Sequence, residues 1–152
     1  MWLYSDSVTS ATVPETHSLP KIGACPSWRA AESGTRDDAV RDQFFAGLSD
    51  VGNRRHEPWV IDALGYLNHP LRAPRAERYI QPSLDLLAEV NRTGDIFFPM
   101  RWMGAVLGGH SSPAAARTVV DFLERQKDYP PRLRQIVQQS SDTLLRVSRI
   151  RK

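Results

Sequence analysis

Residues 131–147 read PRLRQIVQQSSDTLLRV, and this stretch decides the fold class. Its apolar positions recur at intervals of three and four residues, which is the spacing of one face of an α-helix. Pro131 stands where a helix tolerates proline, because the first-turn N–H groups have no partner inside the helix. The stretch therefore predicts an amphipathic helix that begins at Pro130-Pro131 and buries Leu133, Ile136, Val137, Ser140, Leu144 and Val147.

Similar apolar spacing upstream predicts five further helices, over about residues 36–48, 58–67, 82–93, 95–107 and 113–126. Prolines at positions 58, 82, 99, 113 and 131 stand at or near their starts. No window alternates apolar and polar residues over the length of a strand. The sequence predicts an all-α fold of about six stacked antiparallel helices, arranged as a bundle or as HEAT- or armadillo-like pairs.

Local signals place several helix ends. Thr35 followed by Asp38 approaches a capping box, and Ser112 is placed to cap the helix that Pro113 opens. Gly94 is expected to end a helix in the left-handed conformation, and Asp95 to cap the next. Residues 74–80 are expected to form a short turn before Pro82 opens its helix.

The first 34 residues differ from the rest, since they mix Ser, Thr, Pro and Gly with scattered apolar residues and show no periodicity. We expect residues 1–34 to be irregular or poorly ordered, and residues 35–152 to form one helical domain. Cys25 is the only cysteine, which excludes an internal disulfide. No apolar run is long enough to cross a membrane, and no secretory signal is visible, so the expected location is the cytoplasm.

Basic residues are concentrated at the C-terminal end. Residues 125–152 hold eight Lys and Arg against Asp128 and Asp142. One interpretation is a solvated helical face that complements a helix dipole. The other is a contact surface for an acidic partner or for another domain of a larger chain, and nucleic acid is not expected as a partner.

The sequence lacks the usual signatures of catalysis. His56-Glu57 begins like the zinc motif H-E-x-x-H, but Val60 stands where the second histidine belongs. His69 and His110 are expected to bond nearby backbone, and the carboxylates fall where helix surfaces carry them. Cys25 has no close basic neighbour that would activate a thiol. No catalytic residue, metal ligand or cofactor site is therefore predicted for this chain.

The densest cluster of large side chains is DIFFPMRW, residues 95–102. Core packing at a helix entrance is one interpretation. The alternative is that Arg101 and Trp102 line a substrate groove, where the guanidinium binds a carboxylate and the indole offers a flat apolar surface.

Several separate blocks of the sequence resemble the C-terminal region of bacterial members of the aminopeptidase N family, peptidase family M-one. The resemblance covers about residues 36–150 and rests on five blocks in the same order. These are EPWV at 57–60, LNHPLR at 67–72, YIQPSL at 79–84, RTGDIFFP at 92–99 and YPPRLR at 129–134. They are packing and turn residues rather than catalytic ones.

This resemblance implies a HEAT- or armadillo-like domain that closes over a thermolysin-like catalytic domain and shapes the access of peptides to its zinc. The family's zinc motif and its G-x-M-E-N stretch, which binds the substrate amine, are absent here. The chain is then a non-catalytic fragment, inactive alone, whose partner is the catalytic domain of a zinc aminopeptidase. A free-standing helical-repeat adaptor for a protein or an acidic partner is the alternative.

Overall fold

The computed structural model describes residues 33–150, and all of the regular structure within that range is helical. This confirms the predicted all-α fold class. Three 3₁₀ turns connect the α-helices, at Val51–Arg54, Pro70–Arg72 and Glu77–Tyr79. The helices are α1 (Asp38–Gly47), α2 (Glu57–Leu67), α3 (Ala73–Ala76), α4 (Ile80–Asp85), α5 (Leu87–Thr93), α6 (Phe98–Leu107), α7 (Pro113–Arg125) and α8 (Pro131–Ile150).

Two of the predicted caps are confirmed and one is replaced. The Oδ1 atom of Asp95 accepts hydrogen bonds from the N–H groups of Phe97 and Phe98, at 2.6 and 2.8 Å. Ser112 Oγ accepts from the N–H of Ala115 at 3.0 Å. At α1 the cap is Asp37 rather than Thr35, since its carboxylate accepts from the N–H of Ala39 at 2.9 Å. Each cap satisfies first-turn donors that have no partner within the helix.

The prediction for residues 70–94 is wrong in three respects. The expected turn at 74–80 is helical, because Pro82 stands in the first turn of α4 and costs no internal hydrogen bond there. The helical segment is instead interrupted at Leu86, between α4 and α5. Gly94 ends α5 with φ −103° and ψ −177°, which is extended backbone rather than the expected left-handed conformation.

Helices α2 and α6 lie side by side and run in the same direction. At their starts, the Oε1 atom of Glu57 accepts from the N–H of Asp95 at 2.8 Å. At their ends, the Nε2 atom of His110 lies 3.0 Å from the Oδ1 atom of Asn68. Helices whose starts lie together and whose ends lie together run parallel, so α2 and α6 are a parallel pair.

Helix α6 is central to the core, with α2 on one side and α8 on the other. The start of α8 is tied to the start of α6, because Arg132 donates to the carbonyl oxygen of Ile96 at 2.9 Å. Helix α4 packs against α6 and α7, and α7 also packs against α8. We call α2, α6 and α8 the first row. The core between the elements is apolar and includes the fully buried Leu64, Leu67, Ile80, Leu84, Leu87, Val90, Met103, Val106 and Val119.

A buried arginine joins the connection between α1 and α2 to α5. The side chain of Arg54 is 2% exposed. Its guanidinium donates to the carbonyl oxygens of Leu48 and Ser49 at 2.5 and 3.2 Å, and to Glu89 Oε1 at 2.6 Å. A contact with Thr93 Oγ1 at 3.3 Å completes the set. One side chain therefore holds together segments that are far apart in the sequence.

Within residues 33–150, none of the helices combines the length and the apolar character that a membrane span requires. The predicted irregular segment 1–34 and the candidate thiol Cys25 lie almost entirely outside the described residues.

Candidate functional site

The two residues proposed for a substrate groove differ in their exposure, since Trp102 is buried and Arg101 faces solvent. Trp102 has no solvent exposure, and its Nε1–H donates to the carbonyl oxygen of Ser83 at 3.2 Å. Its ring makes an edge contact with Phe98, with centroids 5.9 Å apart. The core-packing interpretation therefore applies to Trp102, which presents no surface to a ligand. Arg101 is exposed and close enough to Asp95 to favour its charged form.

Next to Arg101, three large apolar side chains point into solvent at the start of α6. Ile96, Phe97 and Met100 are 64%, 55% and 47% exposed, and we call them the Phe97 cluster. Ile96 and Phe97 lie in the turn that precedes α6 and Met100 lies in its first turn, so the three residues are close together at the helix entrance. Contiguous exposed apolar side chains edged by charged groups are typical of interaction surfaces.

The loop that presents this cluster is bonded to the starts of both α2 and α6. Hydrogen bonds from the N–H groups of Phe97 and Phe98 lower the pKa of Asp95, because they stabilise its charged carboxylate. Gly94 lies close to the start of α6 and to the start of α2, so a Cβ atom there would sit 2.3 Å from Phe98 Cδ1 and 2.9 Å from Glu57 Oε1. The sequence block RTGDIFFP thus contains the closely packed Gly94, the cap Asp95 and two of the three residues of the Phe97 cluster.

The described histidines make structural contacts. The ring of His56 stacks at a tilt on that of Trp59, with centroids 4.3 Å apart. His69 Nδ1 accepts from the N–H of Leu71 at 3.3 Å, as expected of a turn histidine. Among residues 33–150 no group of three His, Cys, Asp or Glu is placed to hold a metal ion. His17 and Cys25 lie outside that range.

His110 bonds a distant side chain rather than nearby backbone, so that part of the sequence prediction is wrong. Asn68 donates through Nδ2 to the carbonyl of Leu64 at 2.9 Å, which turns its Oδ1 atom towards His110. The imidazole then donates from Nε2, and its buried Nδ1 atom has no protein partner in the described structure. Burial lowers the pKa of His110, against a smaller opposing effect of Glu77.

We expect the stability of the protein to fall as the pH drops below the ordinary histidine pKa of about 6.5. The pKa of His110 is lower in the folded state, so the unfolded chain binds the proton more readily and acid favours unfolding. Urea denaturation at pH 7.5 and pH 5.0 measures the change. His110→Gln keeps a donor for Asn68 but cannot titrate, so it should lose less stability than wild type. Equal losses would contradict the prediction.

A second polar group lines a cleft of about 580 Å³ between α1 and α4. Tyr79 donates to Asp42 Oδ1 at 2.6 Å, and Arg78 pairs with the same oxygen at 2.9 Å. Burial and this hydrogen bond raise the pKa of Tyr79. Asp42 is one of the carboxylates expected on a helix surface, and in the structure it links α1 to the turn before α4.

Several arginines of the basic C-terminal stretch bond other groups of the chain. Arg134 donates to the carbonyl oxygens of Leu123 and Gln126 in the last turn of α7, at 2.9 and 2.7 Å. Arg125 donates to Gln81 Oε1 at 2.7 Å, and Arg146 pairs with Asp142 at 2.9 Å. These contacts are those of arginines that complete helix ends and surfaces.

Comparison with protein-family models, curated proteins and solved structures returned no match to this chain.

Proposed function

We propose that this chain is a non-catalytic helical domain of a zinc aminopeptidase that removes N-terminal residues from peptides. The proposal starts from the resemblance of five sequence blocks to the C-terminal region of the aminopeptidase N family. Residues of these blocks hold the elements together: Glu57 bonds the loop before α6, and Tyr79 bonds α1. Residues of these blocks therefore make contacts that stabilise the fold, which supports the proposal in addition to the order of the blocks in the sequence.

In this proposal the helices form a HEAT-like stack. Parallel neighbours in one layer, with other helices packed beneath them, are typical of stacked helical pairs. The parallel packing of α2 and α6, the joined starts of α6 and α8, and the position of α4 between α6 and α7 are consistent with that arrangement. Such a stack gives an extended wall rather than a closed bundle.

The observation that carries the proposal is the Phe97 cluster. Ile96, Phe97 and Met100 are exposed although the loop that presents them is capped and packed, so their exposure is built into the fold. We assign this cluster to the contact with the catalytic domain. Arg101 and Arg132 flank the cluster and would meet acidic side chains of that domain.

The zinc and the bases that activate water would belong to the catalytic domain, where the metal generates the nucleophile that attacks the first peptide bond. The helical domain would limit which peptides reach that centre. Its own residues contribute shape and exclusion of water, not proton transfer.

The proposal is tested with the purified chain and the separately expressed catalytic half of a bacterial aminopeptidase N. We expect no hydrolysis of aminoacyl-naphthylamides by the chain alone, with or without added zinc. The two parts should bind each other, as measured by calorimetry. Phe97→Lys should weaken that binding at least tenfold, because it places a charge in the apolar contact.

Val120→Lys is the matched control, since Val120 is also an exposed apolar residue but lies on α7. It should leave binding within twofold of wild type. Turnover by the chain alone, or equal binding by the two variants, would refute the proposal. Salt-dependent binding to nucleic acid instead would favour the adaptor function.

A further inference from the structure

The two sides of α2 differ in what they contact. Glu57 and Asn68 face α6, because the first bonds Asp95 and the second bonds His110. Successive residues turn by about 100° around a helix, so a residue two positions away lies about 200° round, on the opposite side. Trp59 follows Glu57 by two positions and Tyr66 precedes Asn68 by two. Both therefore lie on the side of α2 that faces away from α6.

This free side of α2 carries exposed aromatic rings. Trp59 is 44% exposed and Tyr66 is 54% exposed, and they are seven residues apart on one helix face. Asp62 lies between them, is exposed, and has no ion-pair partner among residues 33–150. We call Trp59, Asp62 and Tyr66 the α2 edge.

The outer face of α8, at the opposite end of the first row, differs from the α2 edge in its polarity. Helix α8 buries Leu133, Val137 and Leu144 and turns a polar face outward. Its exposed residues include Gln135, Gln138, Gln139, Asp142, Thr143, Arg146 and Arg149, and the one large apolar side chain exposed on it is Ile150, at its end. A stack of helices needs a polar face on its terminal elements. Helix α8 has such a polar outer face and α2 does not. We therefore call the α8 side the closed side of the first row and the α2 side its open side.

The row itself indicates what covers the open side. Within it, each helix is flanked by another helix: α2 by α6, and α6 by α8. Continuing that interface by one step places another helix against the α2 edge. Residues 1–32 of the chain show no helical periodicity, so the sequence does not indicate that they supply it.

We propose that the α2 edge binds an amphipathic helix of a partner polypeptide, which continues the first row beyond α2. This rests on the proposed function in one respect, since the catalytic half would supply the helix. The bound helix carries an apolar stripe at spacings of three, four and seven residues to cover Trp59 and Tyr66. A lysine or arginine within that stripe pairs with Asp62.

The probe is a fluorescein-labelled 18-residue helical peptide of Leu, Ala and Lys, with its leucines along one face. Fluorescence anisotropy during titration with the full chain measures binding. We expect Trp59→Gln/Tyr66→Gln to weaken binding at least tenfold, with an unchanged circular dichroism spectrum. Val120→Gln, which removes an exposed apolar residue from α7, should leave binding within twofold of wild type.

A peptide of the same composition with leucines on all sides should bind at least tenfold more weakly than the striped one. Equal binding of the two peptides, or equal binding by wild type and the double variant, would overturn the proposal. Dimerisation of the chain that the double variant abolishes would also overturn it, by making a second copy the occupant. The experiment contains no aminopeptidase, so its failure is distinct from a failure of the catalytic-half experiment.

Discussion

Replacing Gly109 with alanine is expected to lower the free energy of unfolding by about 3 kcal/mol. A Cβ atom at this position would lie 1.7 Å from the carbonyl oxygen of Asn68 and 2.9 Å from its carbonyl carbon. Both are backbone atoms, so no side-chain rotation relieves the overlap. The ends of α2 and α6 must then move apart, which disrupts the adjoining contact between His110 and Asn68. Urea denaturation monitored by circular dichroism measures the loss.

Gly65→Ala is the control for this substitution. Gly65 lies within α2, and a Cβ atom there would meet nothing within 4 Å. Alanine has the higher helix propensity, so this variant should gain up to about 1 kcal/mol. If Gly109→Ala were as stable as wild type, the close approach of the two helix ends would not exist in solution.

Replacing Arg54 with alanine is expected to destabilise the protein by about 3 kcal/mol. Removal leaves the carbonyl oxygens of Leu48 and Ser49 and one oxygen of Glu89 without their donor. Glu89 is about one-third exposed, so water partly compensates for its loss. We therefore expect the low end of the range for broken buried ion pairs. Arg54→Lys should recover little, because an ammonium group cannot reach several acceptors in the guanidinium geometry.

Arg146→Ala provides the comparison, since Arg146 also pairs with a carboxylate but is 74% exposed. Exposed pairs of this kind contribute about 0–1 kcal/mol. Thermal or urea denaturation of both variants should therefore separate them clearly. Similar losses would contradict the structural role assigned to Arg54.

The helices could be predicted from the sequence where their signals are local. Residues 131–147 needed only apolar periodicity and an initial proline, and the helix at Pro131–Ile150 agrees with it. Ser112 and Asp95 were predictable as caps because a cap acts within three residues of itself. Residues 70–94 were harder to predict, because short helical turns contain too few residues to show a periodicity. Pro82 indicated that a helix begins nearby, but not which position of the first turn the proline occupies.

The contacts that hold the helices together could not be predicted from local patterns. Arg54 and Glu89 are 35 residues apart, and Asn68 and His110 are 42 apart. Nothing in the spacing of these residues indicates that folding brings them together. Trp102 was equally ambiguous, because a large aromatic residue beside an arginine fits a core or a groove until its burial is known.

The unlike ends of the first row also restrict how copies of the chain can associate. Head-to-tail addition of identical subunits produces filaments whenever a surface at one end fits a surface at the other. Here two aromatic rings and a single carboxylate at one end would have to meet several glutamines and arginines at the opposite end, and most of those polar groups would lose their water without gaining partners. The fold thus disfavours uncontrolled fibre growth even while one of its ends stays exposed.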